Sequence, residues 1–200
     1  MKTLFALFLL LAAPLAFADE LAPDNLVRRI SEEVLTALRE DPELRGGNPA
    51  KVSALIDEKI IPHVDFARAT QIAMGASWRQ ATPAQREALV KEFRGLLVRT
   101  YSTALTAYRD QKLVIHPARV RASETETTVR SQIRQPGAET VTIEYDMEKT
   151  GADWKVFDIR VAGISLVATY RTAFAEEVRN TGIDGLIRSL SRKNGQYAAR

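Results

Sequence analysis

No cysteine occurs anywhere in the 200 residues. Disulfides therefore contribute nothing to stability, and a packed core has to supply it. Histidine is almost as scarce, with only His63 and His116. Zinc sites draw mostly on these two residue types, so the chain has too few ligands for one. No acidic loop has the spacing of a calcium site either. An excess of one charge is also missing: 28 basic residues face 25 acidic ones, and the signs alternate rather than forming blocks. That balance argues against nucleic acid as a partner. Only the tail, residues 188–200, is distinctly basic. No glycine-rich phosphate loop of the P-loop type is present, so any energy for the protein's work would have to come from a partner. Beyond the N-terminus, no apolar run reaches the roughly 20 residues that span a bilayer.

The N-terminus has a different pattern. Met1 and Lys2 give a short basic end, and residues 4–15 form an apolar run broken only by Pro14. Ala16-Phe17-Ala18 places small residues at the two positions a signal peptidase reads, and Asp19-Glu20 begins polar sequence. This is the layout of a secretory signal peptide over residues 1–18. A membrane anchor is the rival reading, but the run is short of a span and no basic cluster follows it. No cysteine stands at the cleavage point to take a lipid. The remaining residues 19–200 are enough for a single domain with a real core. Without Lys2 they carry 27 basic and 25 acidic side chains, a net charge of +2.

The first half of the chain reads as helical. Leu26, Ile30, Val34 and Leu38, with Val27 and Leu35 beside them, form one apolar stripe. Pro42, Gly46 and Gly47 mark a loop over 41–48. Asn48-Pro49 caps and opens a helix carrying Val52, Leu55, Ile56 and Ile60, and Pro62 stops it. A short helix follows over 65–74, ended by Gly75. Thr82-Pro83-Ala84-Gln85 is the signature of a capping box. The long helix it starts carries Leu89, Phe93, Leu96, Leu97, Tyr101, Leu105 and Tyr108 along one side and should end near Arg109.

The period then changes. Runs at 114–121, 127–133, 140–147 and 154–161 are rich in β-branched and aromatic residues, with turn signals at Pro136-Gly137 and Thr150-Gly151. Val141, Ile143, Tyr145 and Met147 alternate with Thr142, Glu144 and Asp146, so that strand has one buried and one wet face. A helix carrying Leu166, Tyr170, Phe174 and Val178 stops at Gly182. A shorter one after Asp184 carries Leu186, Ile187 and Leu190. The expectation is an α+β domain, with helices packed on one face of a curved antiparallel sheet of about four strands. A long helix against such a sheet can leave an apolar cleft, a common place for a ligand.

Catalytic constellations are weak. Gly163-Ile164-Ser165-Leu166-Val167 starts like a nucleophile elbow but lacks the second glycine. Nothing in the spacing links Ser165 to His63 or His116, so Ser165 reads as the cap of the following helix. Asp158, between Phe157 and Ile159, is the better candidate for acid–base work in an apolar cavity. With Arg160 two residues on, a structural ion pair is the simpler account. Asp65 and Asp146 offer less. Tyr101 and Tyr108 fit a helical core stripe.

Taken in order, several of these segments resemble the MlaC family, also called the toluene-tolerance auxiliary family. The matching segments are Ile61-Pro62-His63-Val64-Asp65-Phe66, Met74-Gly75 with Trp78, and Ala81-Thr82-Pro83-Ala84-Gln85-Arg86. Phe93, Leu97 and Thr100-Tyr101 follow, then Trp154-Lys155-Val156-Phe157-Asp158, Gly163-Ile164-Ser165-Leu166 and Gly182-Ile183-Asp184-Gly185-Leu186. The resemblance covers almost all of the chain after the signal peptide. It implies a fold related to the nuclear-transport-factor-2-like group, with an apolar cavity that takes phospholipid acyl chains and leaves the headgroup outside. It implies a periplasmic, non-enzymatic monomer without a cofactor, its bound ligand being phospholipid. That protein would shuttle between an outer-membrane lipoprotein–porin complex and an inner-membrane ABC transporter with an MCE-domain ring, maintaining outer-membrane lipid asymmetry. By position in the motifs, the lipid-lining residues fall on Tyr101, Val141 and Ile164, with Tyr145 near them. Leu97 and Leu105 share the helical stripe of Tyr101, and Ile143 shares the strand face of Val141 and Tyr145, which completes the expected site.

A first prediction belongs to the N-terminus. The exported protein should begin at Asp19, as read by N-terminal sequencing of the periplasmic fraction. Recovery of an intact Met1 in a membrane fraction would contradict it.

Overall fold

The computed structural model describes residues 22–107, 111–121 and 123–198. The expected signal peptide, Tyr108 and the expected helix end at Arg109 lie outside these residues. Among the described residues, six helices and five strands follow one another as α1 Pro23–Glu40, α2 Pro42–Arg45, α3 Pro49–Lys59, α4 Phe66–Met74, α5 Pro83–Thr106, β1 Lys112–Ile115, β2 Glu126–Arg134, β3 Val141–Thr150, β4 Asp153–Val161, β5 Ile164–Ser165 and α6 Arg171–Ala198. Single 3-10 turns lie at Ile61–His63, Gly75–Gln80 and Ala168–Tyr170.

The helix starts follow the capping chemistry expected from the sequence. Thr82 accepts the Gln85 amide while the Gln85 side chain accepts the Thr82 amide, a complete capping box. Asn48 accepts the amides of Ala50 and Lys51, and Asp65 accepts that of Arg68. Gly75, at φ +53°, ends α4 in backbone space that a side chain resists. The expected loop over 41–48 contains the one-turn helix α2, because Asp41 caps it by accepting the Glu43 and Leu44 amides. The two expected C-terminal helices are a single run bent at Gly182 (φ 72°, ψ 177°), and the helix starts at Arg171 rather than at Leu166.

The sheet is an open antiparallel meander, β1-β2-β3-β4-β5. It has five strands rather than about four, because the chain after β4 turns at Ala162-Gly163 and pairs back over two residues. The first strand is shorter and earlier than expected. His116 gives a last amide to the Arg130 carbonyl, and Pro117 has no amide with which to continue the ladder. Between Asp146 and Met147 the β3–β4 register shifts, so Asp158 faces Asp146 and Val156 faces Met147 with Phe157 as the extra residue of a bulge.

Helix α1 covers part of the sheet, where Val27 packs with Ile115, Val129, Met147, Trp154 and Val156. A second cluster joins α1, α2 and α3 through Val34, Leu38, Leu44, Leu55 and Ile56. The third joins α4, α5 and α6. At its centre Phe93 is fully buried, with the rings of Tyr170 and Phe174 edge-on at 5.1 and 5.2 Å. The segment before α4 reaches the sheet directly: Val64 bridges Val156, and the Asp65 amide donates to the Val156 carbonyl at 2.8 Å. Among the described residues, no helix is long and apolar enough to cross a membrane.

Phe93 leaves no room for relaxation. Phe93→Ala should lower the unfolding free energy by about 3–5 kcal/mol, measured by denaturant titration. A loss well under that range would mean that Tyr170 and Phe174 close over the gap.

Candidate functional site

Helix α5 has two unlike halves. Leu89, Phe93 and Leu96 are buried against α4 and α6, whereas Leu97, Tyr101 and Leu105 are only half-buried. Beside the second half lies a cavity of about 200 Å³, lined by residues of this helix and of β4. Its helical wall is Leu97, Val98, Tyr101, Ser102 and Leu105 of α5, with Ile56 and Ile60 of α3. Ile61, Val64, Phe66 and Ala69 close one side. Val156, Phe157, Asp158 and Ile159 of β4 form the floor, and Leu166 and Val167 close the end. Hydrocarbon dominates this wall, and no polar group in it stands free to recognise a polar ligand.

The structure brings three of the seven expected site residues, Leu97, Tyr101 and Leu105, into this wall. Val141, Ile143, Tyr145 and Ile164 lie outside the enclosed volume. They share a sheet face with the floor residue Ile159, because Tyr145 pairs with Ile159, Ile143 with Val161, and Val161 with Ile164. Val141, two residues before Ile143, is on that face too. The four therefore continue the floor away from the cavity. Tyr145 is deeply placed, and the Ser131 hydroxyl donates to its oxygen at 3.5 Å. Val141 and Ile164 are 36% and 61% exposed, and they are the large apolar side chains left open to solvent among the described residues. The wall residues from α3, from the turn at Ile61 and from Phe66 were not among the expected ones. The Ile61-Pro62-His63-Val64-Asp65-Phe66 motif carried that signal, but nothing local says that it meets β4.

The polar groups at this cavity are committed to one another. Asp158 is buried. Its Oδ1 accepts the Ile159 and Val167 amides at 2.8 and 3.2 Å, and its Oδ2 accepts the Ser165 hydroxyl at 2.5 Å. Arg160, the expected partner of Asp158, instead pairs with Asp146 at 2.8 Å and Glu144 at 3.3 Å. It shares a strand face with Asp158, but its guanidinium reaches across to β3 while the Asp158 oxygens are taken by Ser165 and two backbone amides. Ser165 is indeed a cap: its oxygen accepts the Ala168 amide at 2.8 Å, at the start of the 3-10 turn that leads into α6. Among the described residues no histidine hydrogen-bonds to Ser165. Burial pushes Tyr101 up to about 12, helped by the neighbouring Tyr170 hydroxyl and the Asp158 charge, so its phenol stays neutral. His63 lies in a separate notch with Arg29, Trp154 and Lys155. Burial first, then the Arg29 and Lys155 charges, lower its pKa. His116 is exposed on the sheet. Among the described residues no group of three or more carboxylates and histidines could hold a metal. With its acceptor sites engaged, Asp158 is better placed to fix backbone than to take a proton from a ligand.

A family model described as MlaC protein matches residues 28–192. The toluene tolerance protein ttg2D of Pseudomonas putida is 26% identical over 179 residues, which cover 89% of this chain and 83% of that relative. The intermembrane phospholipid transport system binding protein MlaC of Haemophilus influenzae is 23% identical over 180 residues, covering 88% and 84%. Among solved structures, a phospholipid-binding protein of Ralstonia solanacearum, in complex with a phospholipid, is similar with a TM-score of 0.79 at 41% identity. That match covers 88% of this chain and 99% of the other.

The Asp158 site makes a pH prediction. Burial raises its carboxyl above the ordinary aspartate value of 3.8, outweighing the Ser165 hydroxyl and the two amides that lower it. The folded protein therefore holds this proton more tightly than the unfolded chain. The stability linked to it is complete below 3.8 and is lost as pH rises through the folded value. Relative to Asp158→Asn, the unmodified protein should gain stability on acidification across that window, in urea titrations at stepped pH. A difference that stays flat, or rises with pH, would contradict the assignment.

Proposed function

The chain belongs to the MlaC family, and on that premise we propose that it is a phospholipid carrier of the periplasm. In this reading, residues 1–18 direct export and residues 19–200 form one lipid-binding domain. The carrier takes phospholipid between an outer-membrane lipoprotein–porin complex and an inner-membrane ABC transporter with an MCE-domain ring. It acts as a monomer, and its work is binding rather than catalysis.

The observation that carries this reading is the apolar cavity between α5 and β4. Moving a lipid through water exposes acyl methylenes at about 0.8 kcal/mol each, on the order of 10 kcal/mol for a chain. A carrier has to bury most of each chain and can leave the headgroup wet. The cavity wall suits that task, since it is apolar and its few polar groups are occupied with one another. The relatives support the same chemistry, one being named for phospholipid transport and another being solved with a phospholipid bound.

The enclosed volume, about 200 Å³, is below the roughly 300–1,000 Å³ typical of pockets that surround drug-sized ligands. A bound chain is therefore proposed to run out of the cavity along the sheet face of Tyr145, Ile143, Val141 and Ile164. That path gives the exposure of Val141 and Ile164 a purpose, because a chain lying there would cover both. Leu97, Tyr101 and Leu105 hold its inner end.

Native mass spectrometry of protein purified from cells tests the carrier directly, and a co-purifying phospholipid is the expected result. The path has its own test. Val141→Asp and Ile164→Asp should both fold, since each charge reaches water, and both should carry much less phospholipid on extraction. Folded variants that retain full lipid would remove these residues from the path. Variants that fail to fold would mean that the face is packed core.

A further inference from the structure

The connection between β4 and α6 supplies Leu166 and Val167 to the cavity wall, and Val167 is also buried against the Phe93 cluster. Strand β5 contributes two paired residues, and the Leu166 amide donates to the Ile159 carbonyl at 2.9 Å. At its start the Ala162 amide donates to the Thr142 carbonyl at 2.9 Å, and the remaining polar ties to the sheet run through one side chain. The Asp158 carboxylate accepts the Val167 amide at 3.2 Å and the Ser165 hydroxyl at 2.5 Å, and Ser165 in turn accepts the Ala168 amide at 2.8 Å. Three successive parts of the connection are thus gathered on one buried acid.

The ends of this segment differ. At its start Ala162 sits at φ +49°, followed by Gly163 at +82°. Alanine in the left-handed region is strained, and such strain persists where the surroundings hold it in place. At its other end Tyr170 packs its ring on Phe93 at 5.1 Å, against the most firmly buried part of the molecule. The segment is therefore strained at one end, anchored at the other, and pinned in the middle by Asp158. The cavity it lines holds about 200 Å³, and outward movement of this wall would add volume at the inner end, which the path along the sheet does not supply.

We propose that residues 162–170 are the yielding wall of the cavity, and that Asp158 is the positioning residue that sets how readily this wall opens. The cargo in this proposal rests on the carrier reading; the mobility of the segment does not. Removing the carboxylate leaves the Val167 amide without its acceptor and Ser165 without its tether, so the segment should open while the sheet beneath it stays intact. Asparagine at 158 keeps an acceptor for the Ile159 and Val167 amides and can still reach Ser165, so it should preserve most of the closed form.

Two measurements on the full mature chain test this. In Asp158→Ala, amide exchange at Val167 and Ala168 should be about tenfold faster or more, the size expected when a charge-assisted hydrogen bond is lost. Val129 and Met147, both fully buried in the sheet, should exchange as before. Preloaded phospholipid should pass to acceptor phosphatidylcholine vesicles several-fold faster. Asp158→Asn should restore both readouts most of the way, and Ser165→Ala, which keeps the carboxylate, should fall between. If Asp158→Ala does not fold, Ser165→Ala against the unmodified protein carries the same comparison. Unchanged exchange at Val167 and Ala168 would overturn the proposal. So would a uniform rise that includes Val129 and Met147, or faster local exchange with no change in release. An unmodified protein that takes up no phospholipid would sink the carrier reading instead, and exchange alone would then decide whether the wall yields.

Discussion

The burial of Phe93 is the constraint on which the arrangement depends. Three rings meet there, Phe93, Tyr170 and Phe174, at 5.1 to 5.6 Å. They fix the first half of α5 to the start of α6 with aromatic geometry worth more than area alone. Helix α5 runs unbroken for 24 residues. Once its first half is clamped, its second half has to stand off from β4. The cavity is a consequence of that clamp together with the bridge from Val64 to Val156, which sets the distance of the opposite wall. A filled core in one place produces an unfilled one in another.

Chemistry at the cavity is conservative for the same reason. A catalytic acid needs a free proton site and a substrate beside it, whereas Asp158 spends its acceptors on Ser165, Ile159 and Val167. A catalytic serine needs a base, whereas Ser165 is held between a carboxylate and an amide that it caps. Both residues are conspicuous in the sequence because they sit next to glycine or between apolar neighbours. In space they serve the backbone.

Much of this was legible in the sequence, and what was not had a physical reason. Helix starts could be read because caps are local: Asn48-Pro49 and Thr82-Pro83 each state their own role within four residues. The alternation of Val141, Ile143 and Tyr145 identified residues of one sheet face, but not a buried one: Val141 is exposed and only Met147 of that run is buried. The fifth strand was hidden because two residues make no periodic pattern, and its Ala162-Gly163 turn lacks the Asn or Asp that usually precedes the glycine of such a hairpin. The cavity was only half legible. Leu97, Tyr101 and Leu105 show themselves as one helical stripe, but a stripe does not tell whether it touches its neighbour or stands clear of it. Ile56, Ile61 and Phe66 meet β4 across about ninety residues of sequence, and local pattern carries no information at that separation. Arg160 misled because it does share a strand face with Asp158, yet two carboxylates on β3 compete for it and the segment after β4 occupies Asp158.

The unclosed sheet has one further consequence. An antiparallel sheet that does not close presents two borders, each with unpaired backbone groups that can recruit a strand from another molecule. Here both borders are very short. Strand β1 has four residues, begins at Lys112 and gives way to Pro117 after one more amide bond; β5 has two residues and turns at once into a helix. Of the long strands only β3 is paired along both sides, whereas β1 covers just Ser131–Arg134 of β2 and β5 just Arg160 and Val161 of β4. A chain that accumulates in quantity, with Val141 and Ile164 open to water, thereby offers no border strand longer than four residues on which copies could stack edge to edge.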